Sequence, residues 1–247
     1  STAAYLSIHH MAAWMVATWG TERVRHDWAG ALAAGTKLAS YCLTEANAGS
    51  DAASLVTSAR RDGEDYVLNG AKAFISGAGD TDVLVVMART GAEGSGGISA
   101  FVVPSDTVGL SFGKNETKMG WNSQPTRAIS FENVRVPLHC LLGVEGEGFS
   151  IAMQGLEGGR INIAACSLGA AQVTLDMTQR YLSERKQFGQ VLADFQALQF
   201  RLADMATELV AARQMVYKAA WALDSDHPEK TAYCAMAKRF ATDTGFK

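Results

Sequence analysis

The hydrophobic period of this chain changes twice, and that double change limits the folds open to it. Over residues 2–19, Tyr5, Ile8, Met11-Ala12, Met15-Val16 and Trp19 recur close to an i, i+3, i+4, i+7 stripe, which predicts a helix ended by Gly20. Thr21 is placed to cap a second helix reaching about Ala34, with Glu22 in its first turn and Gly35 after its last. From about Leu38 to Leu142 the residues alternate instead. Stretches 83–87, 98–103, 110–112 and 127–131 read as strands, and 91–97 as a Gly-rich hairpin loop. Asn69-Gly70, between Tyr66-Val67-Leu68 and residues 71–75, reads as a tight hairpin turn. Beyond the turn at 143–148 the helical period returns. One long helix is predicted over about 149–184 and a second over 193–224, with a third starting at Asp226 or His227. The chain is therefore expected to be α+β: a helical N-terminal remnant (1–37), an antiparallel β-barrel or sandwich middle domain (38–142) and a C-terminal helical bundle (143–247).

At the first change of period lies Tyr41-Cys42-Leu43-Thr44-Glu45-Ala46-Asn47-Ala48-Gly49-Ser50-Asp51. Its start reads as a strand end; the rest offers two carboxylates, a Gly, a hydroxyl and an Asn able to adopt positive φ. A loop this small and polar exposes backbone N–H groups suited to a planar polar heterocycle or a phosphate. It equally suits a plain turn closed by Asx and Ser hydrogen bonds. Glu157-Gly158-Gly159-Arg160 poses a second question, because each Gly inside a helix costs about 1 kcal/mol against Ala. Either the helix breaks there or a ligand needs the backbone bare. Arg185, with Lys186 beside it, opens a polar loop between two helices; a guanidinium there suits a pyrophosphate, or is simply an exposed basic turn.

With 48% hydrophobic and 19% charged residues, the chain has the makings of a sizeable core. A net charge of −3 gives no reason to expect nucleic acid or an anionic membrane, and no apolar run reaches spanning length. Cys42, Cys140, Cys166 and Cys234 are far apart, which argues against a zinc site or disulfide framework and for a reducing compartment. His9-His10 cannot face one way on a helix and reads as surface or packing, so no metal site is expected. The chain starts without Met and already in a helical pattern, which reads as a piece of a longer protein; a missing targeting peptide is then uninformative.

Five stretches, in order, resemble the acyl-CoA dehydrogenase family: Tyr41-Cys42-Leu43-Thr44-Glu45 with Gly49-Ser50-Asp51; Asn69-Gly70 through Phe74-Ile75-Ser76; Gly120-Trp121-Asn122-Ser123; Gly158-Gly159-Arg160-Ile161-Asn162-Ile163-Ala164; and Arg185-Lys186-Gln187-Phe188-Gly189. The third and fourth look most like the branch that acts on isobutyryl-CoA. The resemblance implies FAD as cofactor, a short and branched acyl-CoA as substrate, and electron-transferring flavoprotein as oxidant. It also implies a homotetramer resident in the mitochondrial matrix or bacterial cytoplasm.

Carried over residue by residue, Tyr41, Cys42, Leu43, Thr44, Glu45, Ala46, Asn47, Ala48, Gly49 and Ser50 supply flavin donors, and Phe74, Ile75 and Ser76 a wall and a hydroxyl. Arg185, Gln187, Phe188, Phe195 and Gln196 would reach FAD in a neighbouring subunit. Glu157, Gly158, Gly159 and Arg160, with Ser50 facing them, would line the thioester and pantetheine, small residues leaving room for a branched acyl group. The chain departs from the family at Ala46 (usually Pro), Asn47 (usually Gly) and Phe74 (commonly Trp). Asn47 is expected to take the positive φ of Gly, while Ala46 loosens the loop. No catalytic base is identified: the family's Glu usually lies beyond the position of Lys247, and the alternative position holds Gly159. A non-catalytic flavin-binding or scaffold homologue is the competing reading.

Overall fold

Strand β4 (Val83–Arg89) is buried on both faces, and the first half of the molecule is assembled around it. Its side chains alternate between two apolar clusters: Val83, Val85 and Met87 in one, Leu84, Val86 and Ala88 in the other. A strand covered on both sides reads as a continuous hydrophobic run, which is what residues 83–88 are. The structure, a computed structural model, describes residues 2–247, so Ser1 lies outside it. The chain divides into two compact units, one ending at Leu156 and the other starting at Glu157.

In the first unit, helix α1 (Thr2–Trp19) puts Met11, Ala12, Met15 and Val16 into the first cluster. His9, one member of the histidine pair, is a packing residue. Its Nδ1 accepts the Ala39 N–H (3.1 Å) and its Nε2 lies 3.0 Å from the Leu32 carbonyl, so those partners require the proton on Nε2. The Thr21 hydroxyl caps the following helical run by accepting the Val24 N–H. That run is α2 (Glu22–Val24), a π-helical turn (Arg25–Ala29) and α3 (Gly30–Ala33), ended by Gly35 at φ +66°.

The sheet contains β1 (Ala39–Cys42), β2 (Ser58–Asp62), β3 (Asp65–Ser76), β4, β5 (Ile98–Pro104), β6 (Leu110–Phe112), β7 (Thr126–Pro137) and β8 (Leu141–Leu142). Its order is β6-β7-β3-β2-β4-β5-β8, with β1 also on β4. Two expectations change here. The sheet is mixed rather than antiparallel: β1 runs parallel to β4, Ala39 opposite Val83 and Cys42 opposite Val86. Four residues carry that pairing across a forty-residue gap in sequence, a non-local contact that alternation cannot reveal. Secondly, Asn69-Gly70 is not a hairpin turn but a bulge inside β3, where the register against β7 slips between Leu68 and Gly70. The turn falls at Gly63, φ +63°, joining β2 to β3.

The second unit is helical. Helix α4 (Gly148–Glu184) is unbroken, and the boundary between the units falls within it. The predicted second helix loses its first residues to a 3-10 turn (Leu192–Asp194), so α5 is Gln196–Asp224. The third, α6 (Lys230–Phe246), starts later than expected because Asp226 takes φ +51° and cannot continue a helix. Ala164, Leu168 and Leu175 of α4 pack with Leu209, Ala212, Val216 and Ala219 of α5, and Cys234, Ala237 and Ala241 of α6. Residues 185–190, expected as a loop, include a small hairpin, β9 (Lys186–Gln187) and β10 (Gln190–Val191). Phe188 (φ +53°) and Gly189 (φ +80°) make its turn, the paired left-handed residues of a type I′ connection.

Candidate functional site

Two sets of candidate residues are assembled, one on each unit. On the first, β1 ends at Cys42 and the chain closes a miniature turn: Glu45 N–H to Ala48 O and Ala48 N–H to Glu45 O, both 3.1 Å. Ala46 and Asn47 form its exposed tip. Neither has positive φ, so the expectation for Asn47 is corrected: a two-residue connection at negative φ closes the turn without a glycine-like conformer. Several side chains of this stretch point into the protein instead of outward. Cys42, Leu43 and Ala48 are core, and the Tyr41 hydroxyl reaches the Ala152 carbonyl at 3.5 Å. The side chains of these four are turned away from a ligand, whereas Ala46, Asn47, Gly49 and Ser50 are exposed and Thr44 half-buried.

β3 comes alongside this loop at a second bulge, where its register against β7 slips between Lys72 and Ile75. The bulge releases the Ala73 N–H, which donates to the Thr44 carbonyl at 2.9 Å. It also turns Phe74 outward: the ring is 66% exposed and its φ is +57°, a conformation that costs a bulky residue about 1–2 kcal/mol. Ser40 Oγ donates to the Ser76 carbonyl (2.7 Å), so the predicted stretches 41–50 and 74–76 are stitched side by side. The resemblance stretch around Trp121 joins them, because Gly77 N–H donates to Pro125 O (2.8 Å). Lys118 Nζ organises that loop, donating to Trp121 O, Gln124 O and Thr126 Oγ1 at 3.0, 2.5 and 2.9 Å.

Beneath the loop lies a buried ion pair that the sequence reading missed in part. Glu45 is 6% exposed and Lys72 1%. Lys72 Nζ donates to Glu45 Oε1 (2.7 Å) and to the Leu43 carbonyl (3.0 Å). The carboxylate also accepts the N–H groups of Val56 (2.7 Å) and Thr57 (3.0 Å). Burial pulls the Lys72 ammonium below its ordinary pKa, and Glu45 only partly offsets that. Burial pushes Glu45 up, but the bonds from Lys72, Thr57 and Val56 outweigh it and hold the carboxyl below 4.5. Gly70 makes the arrangement sterically open: a Cβ there would stand 2.7 Å from Thr57 Cα. Arg89 fixes the chain after the loop, donating to Leu55 O (3.0 Å) and Ala53 O (2.7 Å). The signal for Lys72 was available, since it shares parity with the inward Tyr66 and Leu68 and an unexplained Glu45 stood in the loop.

On the second unit, Glu157 is 7% exposed and its Oε1 accepts the hydroxyl of Thr231 on α6. Lys230 and Arg160 lie in the same electrostatic neighbourhood. The Cys234 thiol is pushed up by burial and by Glu157, and pulled back by Arg160 and Lys230. The glycines of α4 divide by cause. In the first unit, Gly155 is needed for packing, since a Cβ there would meet Met15 Cε at 1.9 Å. Gly158 has nothing within 4 Å of where a Cβ would stand, so packing within the chain does not explain it. Arg185 is exposed, with no carboxylate paired to it among the described residues. Phe188, 93% exposed, stacks edge-on against Phe195 at 6.2 Å, just before Gln196 begins α5. Ser50, expected to face residues 157–160, belongs to the first unit.

Among the described residues no group of three or more His, Cys, Asp or Glu could hold a metal, no helix is long and apolar enough to cross a membrane, and all four cysteines are free.

Known proteins match this chain along its length. Residues 40–134 match the family described as acyl-CoA dehydrogenase, middle domain, and 146–247 match acyl-CoA dehydrogenase, C-terminal domain. Mitochondrial isobutyryl-CoA dehydrogenases of Bos taurus and Dictyostelium discoideum are 55% and 56% identical over the whole chain. The chain spans 59% and 60% of those relatives' length. Butyryl-CoA dehydrogenase from Megasphaera elsdenii superposes with a TM-score of 0.94 at 41% identity, covering 98% of this chain and 64% of that one. A chain in the structure of the electron transferring flavoprotein of Acidaminococcus fermentans gives 0.92 at 43% identity, covering 98% and 63%. With both domain descriptions matched in order and the relatives aligned along its entire length, the chain belongs to the acyl-CoA dehydrogenase family.

Proposed function

We propose that this chain forms the flavin- and thioester-facing part of an FAD-dependent dehydrogenase acting on a short, branched acyl-CoA such as isobutyryl-CoA. The observation that carries the reading is the bulge that turns the Phe74 ring outward beside the turn at residues 44–50. The residues fit the group. Phe74 offers an apolar face, and the hydroxyls of Thr44, Ser50 and Ser76 make no hydrogen bond within the described residues. Neutral donors suit the polar edge of a flavin, and the unpaired Arg185 guanidinium suits its pyrophosphate.

FAD, when bound, accepts the hydride that leaves Cβ of the thioester. The chain's own residues bind and orient. Ala73 N–H and the Lys72–Glu45 pair fix the loop that presents the donors. Gly158 keeps the helix surface open, and Arg160 stands beside it. The base that takes the α-proton is not assigned to a residue of this chain.

Arg185, Gln187, Phe188, Phe195 and Gln196 are read as reaching FAD of a neighbouring subunit in a homotetramer. Outward apolar side chains such as Val173, Met177 and Tyr181 on α4, and Phe200, Tyr217 and Trp221 on α5, support an assembly. The A. fermentans structure supports electron-transferring flavoprotein as oxidant, and the named relatives support mitochondrial or bacterial residence.

The test is anaerobic mixing of the FAD-loaded protein with isobutyryl-CoA while flavin absorbance is followed. Bleaching is the expected result. Bleaching only with a straight-chain thioester corrects the substrate, and none with any acyl-CoA favours the scaffold reading.

A further inference from the structure

We propose that Arg89 is a positioning residue for the loop at residues 44–50, acting by clasping residues 52–55 to the Gly-rich loop 91–97; the inference rests on the FAD reading above. No carboxylate pairs with this cation among the described residues. Its partners are four backbone carbonyls instead. Nε and Nη2 donate to Leu55 O and Ala53 O (3.0 and 2.7 Å), and Nη1 donates to Ala92 O and Gly94 O (2.6 and 3.0 Å). A guanidinium can serve two chain segments at once, because its five donors diverge from one rigid plane.

The clasp reaches the loop through Glu45. A 3-10 turn (Ala52–Ser54) follows Ser50 and Asp51, and the chain around and beyond it is held by two charges. The N–H groups of Val56 and Thr57 go to the Glu45 carboxylate (2.7 and 3.0 Å), while the carbonyls of Ala53 and Leu55 go to Arg89. Glu45 also closes the 45–48 turn with its own N–H and C=O. A shift of residues 52–57 is therefore felt at that turn. The glycines of the other loop serve the same clasp. Gly94 takes φ +90°, a conformation that favours glycine, and offers its carbonyl to Arg89. At Gly97 a Cβ would stand 1.8 Å from Ala92 O and 2.9 Å from Arg89 Nη1. The Gly-rich loop is thus the counterpart of the clasp, not a free hairpin end.

Arg89→Lys keeps the charge and the backbone N–H bond to Thr57 O (2.7 Å), but one ammonium cannot span four carbonyls. Amide exchange should then quicken at 52–57 and 91–97 together while β5 stays protected. The dissociation constant for FAD should rise about tenfold, which is the loss of about one hydrogen bond to a charged group. In wild type, FAD loading should slow exchange at 91–97 as well as at 44–50; in Arg89→Lys it should slow 44–50 alone. An arginine that only stabilised the fold would not carry that ligand-dependent link. Wild-type exchange at 91–97 that ignores FAD overturns the proposal. So does an Arg89→Lys variant that binds FAD and transmits its effect as wild type does. Should Arg89→Lys fail to fold, Gly97→Ala carries the test by displacing Ala92 O from the guanidinium. Faster exchange at 52–55 and weaker FAD binding are then expected, and wild-type values for both overturn it. Failure of the underlying reading looks different: wild-type protein then takes up no FAD, or takes it up without slowing 44–50, and the proposal falls with it.

Discussion

Replacing Lys72 with Met should release the loop at residues 43–48 while leaving the strands in place. Met has nearly the volume of the Lys stem, so the cavity contribution is small. What is lost is the ammonium that bonds Glu45 Oε1 at 2.7 Å and the Leu43 carbonyl at 3.0 Å. Removing one partner of a buried ion pair costs about 3–5 kcal/mol. Glu45 keeps the Val56 and Thr57 N–H groups, which places the loss at the low end, near 3 kcal/mol, and the orphaned Leu43 carbonyl adds about 1. The expected destabilisation of Lys72→Met is thus about 3–4 kcal/mol, read by urea unfolding at neutral pH. Pairing it with Glu45→Gln should recover about 2 kcal/mol relative to the sum of the single changes, because the uncompensated charge disappears. The variant should also lose FAD while retaining its β-sheet signal. Because the Lys72 bond helps hold the Glu45 carboxyl below 4.5, Glu45 contributes stability that is present above about pH 4.5 and lost as pH falls through the depressed value. In Lys72→Met that contribution is missing, so the destabilisation relative to wild type should shrink as pH falls and Glu45 takes up its proton. A stability within about 0.5 kcal/mol of wild type, the level of an ordinary surface change, would refute the reasoning. Additive single and double variants would refute it too.

Gly70→Ala should cost about 2–3 kcal/mol and weaken flavin retention, since the new Cβ collides with Thr57 Cα and pushes that residue off Glu45; urea unfolding and flavin content check both. Phe74→Gly should stabilise the flavin-free protein by up to about 1 kcal/mol, through relief of the φ +57° strain, yet lower FAD affinity through loss of the ring; a calorimetric midpoint and a flavin titration would move in opposite directions. Gly158→Leu should leave the fold intact but depress turnover of isobutyryl-CoA more than of a straight-chain thioester, whereas Gly155→Leu should unfold the first unit because Met15 fills that space.

The parts of this molecule written in local periodicity were readable from the residues. The stripe of α1, the Thr21 cap, the Gly35 stop and the run through 83–87 each follow from spacing or from one residue's chemistry. Non-local pairing was not readable: β1 carries only four residues, and nothing in them announces a parallel partner at Val83. Asn69-Gly70 misled for a physical reason. Gly serves a close backbone approach as readily as a turn, and Thr57 rather than chain reversal is what Gly70 accommodates here. The same ambiguity runs through α4, where Gly155 and Gly158 look alike in sequence but only Gly155 answers to packing within the chain. The loop proposed to face a flavin was singled out by resemblance; its support at Lys72, and the Thr231 contact to Glu157, depend on side chains far apart in the chain.

The most direct test of the account is amide hydrogen exchange of the protein with and without FAD. The loop and bulge are predicted to respond together, with slower exchange across residues 44–50 and 74–77 on flavin loading and little change across β4, which is already buried. Flavin that binds while those two segments exchange at their unloaded rates would contradict the assignment of the site.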